Sequence, residues 1–262
     1  MINFYIIMVL IIPILILLCI FIHVRWTIQY IDKIYSKKEI REFLSDDNDM
    51  YVESMSEYDL KARGVSTSKD YIEKIKNVGY EPTLYEQYIL GSAMQRADSF
   101  LNTLNHKLLP DDHNIDRIKW NIALTDSDDY EEGFPHTRNK IIFLPRSILK
   151  SENIVSTLIH EKIHIYQRFN RLSVEKVLTN NGYTNIGYKH NVDKIRTNPD
   201  INNFLYTDQE GKKMMLVYTS DNPENINDVK QYGEYEHPYE MISYVIENIY
   251  KENVKNEFPN IR

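Results

Sequence analysis

The five residues His160-Glu161-Lys162-Ile163-His164 constrain this chain more than any other stretch. Histidines four residues apart stand one above the other on a helix, so the pattern acquires a geometry if the segment is helical. Its surroundings predict that it is. Ser151 can cap the N-terminus and Glu152 suits the positive end of the helix dipole. Ile154, Val155, Leu158, Ile159, Ile163 and Ile165 then supply an apolar stripe through to about Phe169. The motif therefore falls in mid-helix, on an element with a face committed to a core. Two imidazoles so placed grip a zinc ion, and Glu161 stands beside the metal, where it can take a proton from a water molecule. With 8 histidines in 262 residues, the pattern arises by chance about 2% of the time; the plain alternative is an amphipathic helix with two incidental histidines.

Two histidines do not complete a zinc site, which needs a third protein ligand and an open fourth position. The extension H-x-x-G-x-x-H is absent, because Gln167 and Asn170 occupy the positions of its glycine and last histidine. His190 and Asp193 are one possible source of the ligand. The favoured source is Glu240, in Glu236-His237-Pro238-Tyr239-Glu240-Met241, at the start of a helix predicted from Pro238 to about Asn253 with Met241, Val245, Ile246 and Ile249 inward. Glu236 and His237 stand as rivals. A glutamate there is also what the helix dipole favours by itself.

In this order, His160, Glu161, His164 and Glu240 resemble the gluzincin set of zinc metallopeptidases; the likeness covers these short motifs and the order of elements over about the last 180 residues. The resemblance implies an α+β fold class, a zincin-like metallopeptidase domain whose active-site helix packs on a small mixed sheet. It implies Zn2+ held by His160, His164 and Glu240, Glu161 as general base, and a peptide or protein substrate. The strand before the metal helix would be an exposed sheet edge along which an extended substrate lies, with His136 and Arg138 facing the cleft; otherwise these two are a turn histidine and a surface arginine. A tyrosine or histidine should steady the oxyanion, His237, Tyr244 and Tyr206 being the first to consider. Two other functions stay open: a zincin-like protein without catalysis acting in binding or structure, which the intact Glu161 disfavours, and a metal-dependent hydrolase of a non-peptide bond.

Ahead of this domain, Phe4–Val24 runs 21 residues without Asp, Glu, Lys or Arg. As a helix that is about 32 Å, against a bilayer core of about 30 Å. Residues 1–25 are therefore expected to be a transmembrane anchor, with residues 4–24 in contact with lipid. Arg25, Lys33, Lys37, Lys38 and Arg41 follow it and no basic residue precedes it, which predicts a single-pass protein with its C-terminal domain in the cytoplasm. The single cysteine, Cys19, and the absence of any N-x-Ser/Thr sequon agree. Residues 26–70 read as a juxtamembrane helix over Trp26–Leu44 followed by a polar linker over Ser45–Ser68, and residues 71–262 as the folded domain. A net charge of −7 with no basic stripe excludes nucleic acid as a partner.

Within the domain, Thr83 and Glu86 form a capping box that opens a helix to about Lys107. Ile118–Leu124 alternates as a half-buried strand, Asn139–Leu144 is a second strand, and Phe204–Thr207 and Met214–Thr219 flank Gly211 as a hairpin. The acidic residues 126–132 are expected to be a solvated turn, with a calcium site as the less favoured reading. The loop from Arg196 to Asp200 carries no role that its residues declare.

Overall fold

The computed structural model describes residues 2–190 and 194–257, with side chains described from Ile12 to Asn256 within them. Among the described residues, eight α-helices run in chain order with nine strands: α1 (Ile2–Ile28), β1 (Lys33–Ile34), α2 (Lys37–Asp46), α3 (Glu57–Ala62), α4 (Ser68–Ile75), β2 (Gly79–Tyr80), α5 (Leu84–Thr103), β3 (Asn121–Thr125), β4 (His136–Arg138), β5 (Ile141–Pro145), α6 (Ile154–Phe169), α7 (Arg171–Asn180), β6 (Thr184–Tyr188), β7 (Phe204–Thr207), β8 (Lys213–Tyr218), β9 (Val229–Tyr232) and α8 (Pro238–Glu257). The fold is mixed α/β.

A five-stranded mixed sheet lies at its centre, in the order β1-β3-β5-β4, with β2 on the same edge of β3 as β1. β1 and β5 run parallel to β3, and β4 closes a hairpin on β5 around Asn139, whose φ of 54° makes the turn. The strands β3 and β5 are buried on both faces because alternate side chains enter different cores. Ile122, Leu124, Ile142 and Leu144 meet Leu90, Met94, Leu158 and Ile159 of α5 and α6. Ala123, Ile141 and Phe143 meet Ile40, Leu44, Tyr71 and Ile75 of α2 and α4. A second sheet, antiparallel in the order β6-β7-β8-β9, follows α7.

Several expectations are corrected. Among the described residues, no helix is long and apolar enough to cross a membrane. Residues 4–11 of the expected span lie outside the described side chains. The end of α1 is docked on α5: Thr27 is buried, and a Cβ at Gly91 would come within 2.2 Å of the Thr27 carbonyl oxygen. The transmembrane anchor over residues 1–25, the lipid contact through residues 4–24 and the single-pass location with a cytoplasmic C-terminal domain therefore lose their basis. The fold expected behind that anchor is corrected with it, since two sheets stand where one small mixed sheet of a zincin-like domain was predicted.

Nor is the stretch over Ser45–Ser68 a loose linker. Ser56 and Asp59 form a capping box at the start of α3, Val52 and Leu60 are buried in the second core, and Asp59 and Arg63 are almost fully enclosed. The second face of the sheet has to be covered, and this stretch with its neighbours α2 and α4 covers it.

Candidate metal centre

The motif lies where its pattern places it, in the middle of α6, and the helix is buried from Ile154 to Gln167 apart from half-buried Thr157. Its apolar positions fill the core under the sheet. Lys162, on the same side, is driven to a buried ion pair with Asp98 of α5, whose carboxylate also accepts from Trp120 Nε1 at 2.9 Å and the Tyr30 hydroxyl at 2.8 Å. The opposite side of α6 faces α8. Pro238 sets the first turn of α8 and Glu240 follows within that turn, so the carboxylate sits at the positive end of the helix.

Three donor atoms converge between the two helices. His160 Nε2 is 3.0 Å from His164 Nε2, and Glu240 Oε2 is 3.3 Å from the first and 3.7 Å from the second. Ligand bonds of about 2.0–2.1 Å at tetrahedral angles put donor atoms roughly 3.3 Å apart, so these separations are of the size that a tetrahedral metal site requires. Among the described residues, His160, His164 and Glu240 are the group whose donor atoms could hold a metal ion.

The outer nitrogens decide which atoms face inward. His164 Nδ1 is 2.9 Å from Gln167 Oε1, whose amide is turned by donating from Nε2 to the Tyr239 carbonyl at 3.0 Å. His160 Nδ1 is 3.1 Å from Glu247 Oε2 on α8. An amide oxygen and a carboxylate accept, so Nδ1 of each ring carries a hydrogen and both Nε2 atoms point at one spot. Two ring nitrogens and a carboxylate oxygen held that close call for a cation, either a proton on an imidazole or a metal ion. Burial opposes protonation of His160, but the carboxylates of Glu240 and Glu247 outweigh it and lift its pKa well above the usual imidazole value. Burial likewise works to raise the Glu240 pKa, yet His164 and His160 hold it well below the ordinary carboxylate range.

Glu161 points past the ligands into a cleft of about 380 Å³, lined also by Phe134, His136, Thr157, Asp200 and Tyr244. It is buried, and its Oε2 has no hydrogen-bond partner. Burial, reinforced by the Asp200 carboxylate, pushes the Glu161 pKa well above its usual value. Tyr244, one turn beyond Glu240, lies edge-on to the His160 ring at 4.6 Å and is 45% exposed. Burial of its hydroxyl and the nearby Glu240 carboxylate raise its pKa, keeping it a donor.

The remaining candidates go elsewhere. Glu236 is committed to Arg196 at 2.7 Å, His237 Nδ1 accepts from the Tyr239 N–H at 3.1 Å, and the His190 ring packs on Tyr188. Asp193 lies outside the described residues. Tyr206 is buried with its hydroxyl bonded to Glu175. His136 lines the cleft, but Arg138 faces away and is buried against Asp47 and Asp49. The outer edge of β4 is not open either. The Thr137 N–H and hydroxyl donate to Asp200, and Arg168 donates to the Thr137 carbonyl. In the acidic loop Glu131 is buried against Arg63 and Glu132 accepts from the Ile226 N–H at 2.8 Å.

Glu247 and Gln167 are the residues that motif reading missed. Both were accessible to a periodicity argument, since Glu247 lies seven residues after Glu240 on one helix face and Gln167 three after His164. Comparison of the chain with protein-family models, curated proteins and solved structures finds no match.

Proposed function

We infer that this chain is a zinc-dependent hydrolase acting on peptide bonds, with His160, His164 and Glu240 as ligands and Glu161 as general base. The observation that carries the reading is the trio of donor atoms 3.0–3.7 Å apart beside a buried glutamate with an unpartnered oxygen in a cleft. Bound zinc supplies Lewis acidity, polarising a carbonyl and bringing the pKa of water towards 7. The chain's own residues do the rest. Glu161 accepts the proton of the attacking water and passes it to the leaving amine, which is the role open to a carboxyl with a raised pKa. Tyr244 donates its hydroxyl hydrogen to the carbonyl oxygen as negative charge grows there. Glu247 and Gln167 keep both imidazoles in the tautomer that binds metal.

The gluzincin resemblance supports a peptide as substrate rather than another acyl compound. Metal analysis of the purified chain, followed by digestion of a peptide library with and without chelator, tests both halves. Chelator-sensitive cleavage with about one zinc per chain is expected. A chain that holds zinc but leaves every peptide intact, while hydrolysing esters, would move the assignment to a non-peptide bond.

A further inference from the structure

The segment Arg196–Asp200 crosses the cleft as a strap, and each of its residues is tied to a different element. Thr197 is bound by Asp59, which accepts from its N–H at 2.8 Å and its hydroxyl at 2.7 Å. Pro199 offers its carbonyl to Arg168, and Asp200 holds Thr137 of β4. Asn198, between them, reaches the metal site.

Its side-chain amide is oriented by three partners. Oδ1 accepts from the Asp200 N–H at 2.9 Å. Nδ2 has two hydrogens; one goes to Glu236 Oε1 and the other to Glu240 Oε1, each at 2.8 Å. Turning the amide over would set its oxygen against two carboxylates, so this orientation is the stable one. Arg196, in turn, holds Glu236 in place. Glu240 thus has Oε1 engaged by the strap, and Oε2 alone faces the two imidazole nitrogens.

We propose that Asn198 is a positioning residue that makes Glu240 a one-oxygen ligand and so keeps the fourth metal position open. A carboxylate without that hydrogen bond is free to rotate and give both oxygens to the ion, which expands the coordination and occupies the place a water needs. The inference rests on the metal reading above.

The test uses the full chain with two substitutions, Asn198→Ala and Asn198→Leu, the second close to asparagine in shape but without a donor. Zinc affinity is read by chelator competition and coordination by the visible spectrum of the cobalt(II)-loaded protein. Both variants should bind zinc roughly 10- to 100-fold more weakly, the usual cost of losing a group that orients a ligand. Their cobalt absorption should weaken, as expected when four-coordinate cobalt gains a ligand, and their metal-free melting temperatures should stay near wild type. If Asn198→Leu keeps the wild-type affinity and spectrum, only the shape of residue 198 matters and the proposal fails. Should one variant not fold, the other decides. A wild-type chain that binds zinc but cleaves no peptide would overturn the peptidase reading and leave the role of Asn198 standing; one that binds no metal overturns both.

Discussion

Glu247 Oε2 lies 3.1 Å from His160 Nδ1, and the same carboxylate accepts from the Ser156 hydroxyl at 3.1 Å and pairs with Lys251 at 2.7 Å. The His160 imidazole is thereby held from behind by a carboxylate that is itself held on two sides. Hydrogen bonds from His160 and Lys251 offset the cost of burial and bring the Glu247 pKa down to about 2. Changing Glu247→Ala should release the ring and weaken zinc binding roughly 10- to 100-fold, measured by chelator competition. Unchanged affinity would mean that helix packing alone orients His160.

Zinc should be stoichiometric. Close to one zinc per chain is expected on purification, and His160→Ala and His164→Ala should each abolish it; zinc retained in both would refute the assignment. Metal should also stabilise the fold, by about 2.7 kcal/mol at a free concentration 100 times the dissociation constant, so chelation should lower the melting temperature of the wild type and not of these variants.

Glu161 and Glu240 should fail differently. Glu161→Gln leaves the three ligands intact, so zinc stays bound while hydrolysis falls by about 10²- to 10⁴-fold, the usual value of general acid–base catalysis. Glu240→Gln replaces an anionic oxygen with a neutral amide; zinc affinity drops, and excess zinc restores part of the activity. Wild-type affinity in Glu240→Gln would send the search for the third ligand to Asp193.

The segment before Tyr71 should prove indispensable. Asp59 is fully enclosed, and although burial works to raise its pKa, Lys189 and Arg63 hold it below the usual carboxylate value while it anchors Thr197 of the strap. Asp59→Ala leaves buried cations short of a partner and should cost about 3–5 kcal/mol in denaturant unfolding. A fragment of residues 71–262 should neither fold cooperatively nor retain zinc. A stable, zinc-loaded fragment would show that the strap holds without its anchor.

Glu86 should contribute a measurable acid sensitivity. It accepts from the Thr83 N–H at 2.8 Å and from Arg146 at 2.9 Å, and these bonds, working against its partial burial, lower its pKa to about 2. A carboxyl whose pKa is depressed on folding stabilises the protein above its unfolded value, near 4.5, and loses that contribution as pH falls towards 2. Unfolding free energies from urea titrations at pH 7 and pH 3 should therefore differ less in Glu86→Gln than in wild type, by about 1 kcal/mol, the scale of an N-terminal cap. Equal acid sensitivity in both proteins would assign the loss to other carboxyls.

Local signals read well wherever one segment is sufficient to specify its own shape. The Thr83–Glu86 capping box, the helix carrying His160 and His164, the turn at Gly211 and the start of α8 at Pro238 all stand where their residues place them, because caps, turn glycines and a 3.6-residue stripe act over a few neighbours. The trio His160, His164 and Glu240 was legible for the same reason, two of its members sharing one helix and the third lying at the first turn of another. Tertiary structure decided what depends on distant partners. Residues 45–68 look like a polar linker because acidic residues are spread through them and their apolar side chains follow no clear period, yet Asp47 and Asp59 are charges that Arg138, Arg63 and Lys189 neutralise only after the chain has closed. The run of apolar residues near the N-terminus has no internal mark that tells lipid from protein, and the packing of the end of its helix, at Thr27, against Gly91 is a matter of what lies across from it. Asn198 carries no signal at all in its own neighbourhood; it acquires a role because a strap anchored at Asp59, 138 residues away in sequence through the Asp59–Thr197 bond, sets its amide between two glutamates.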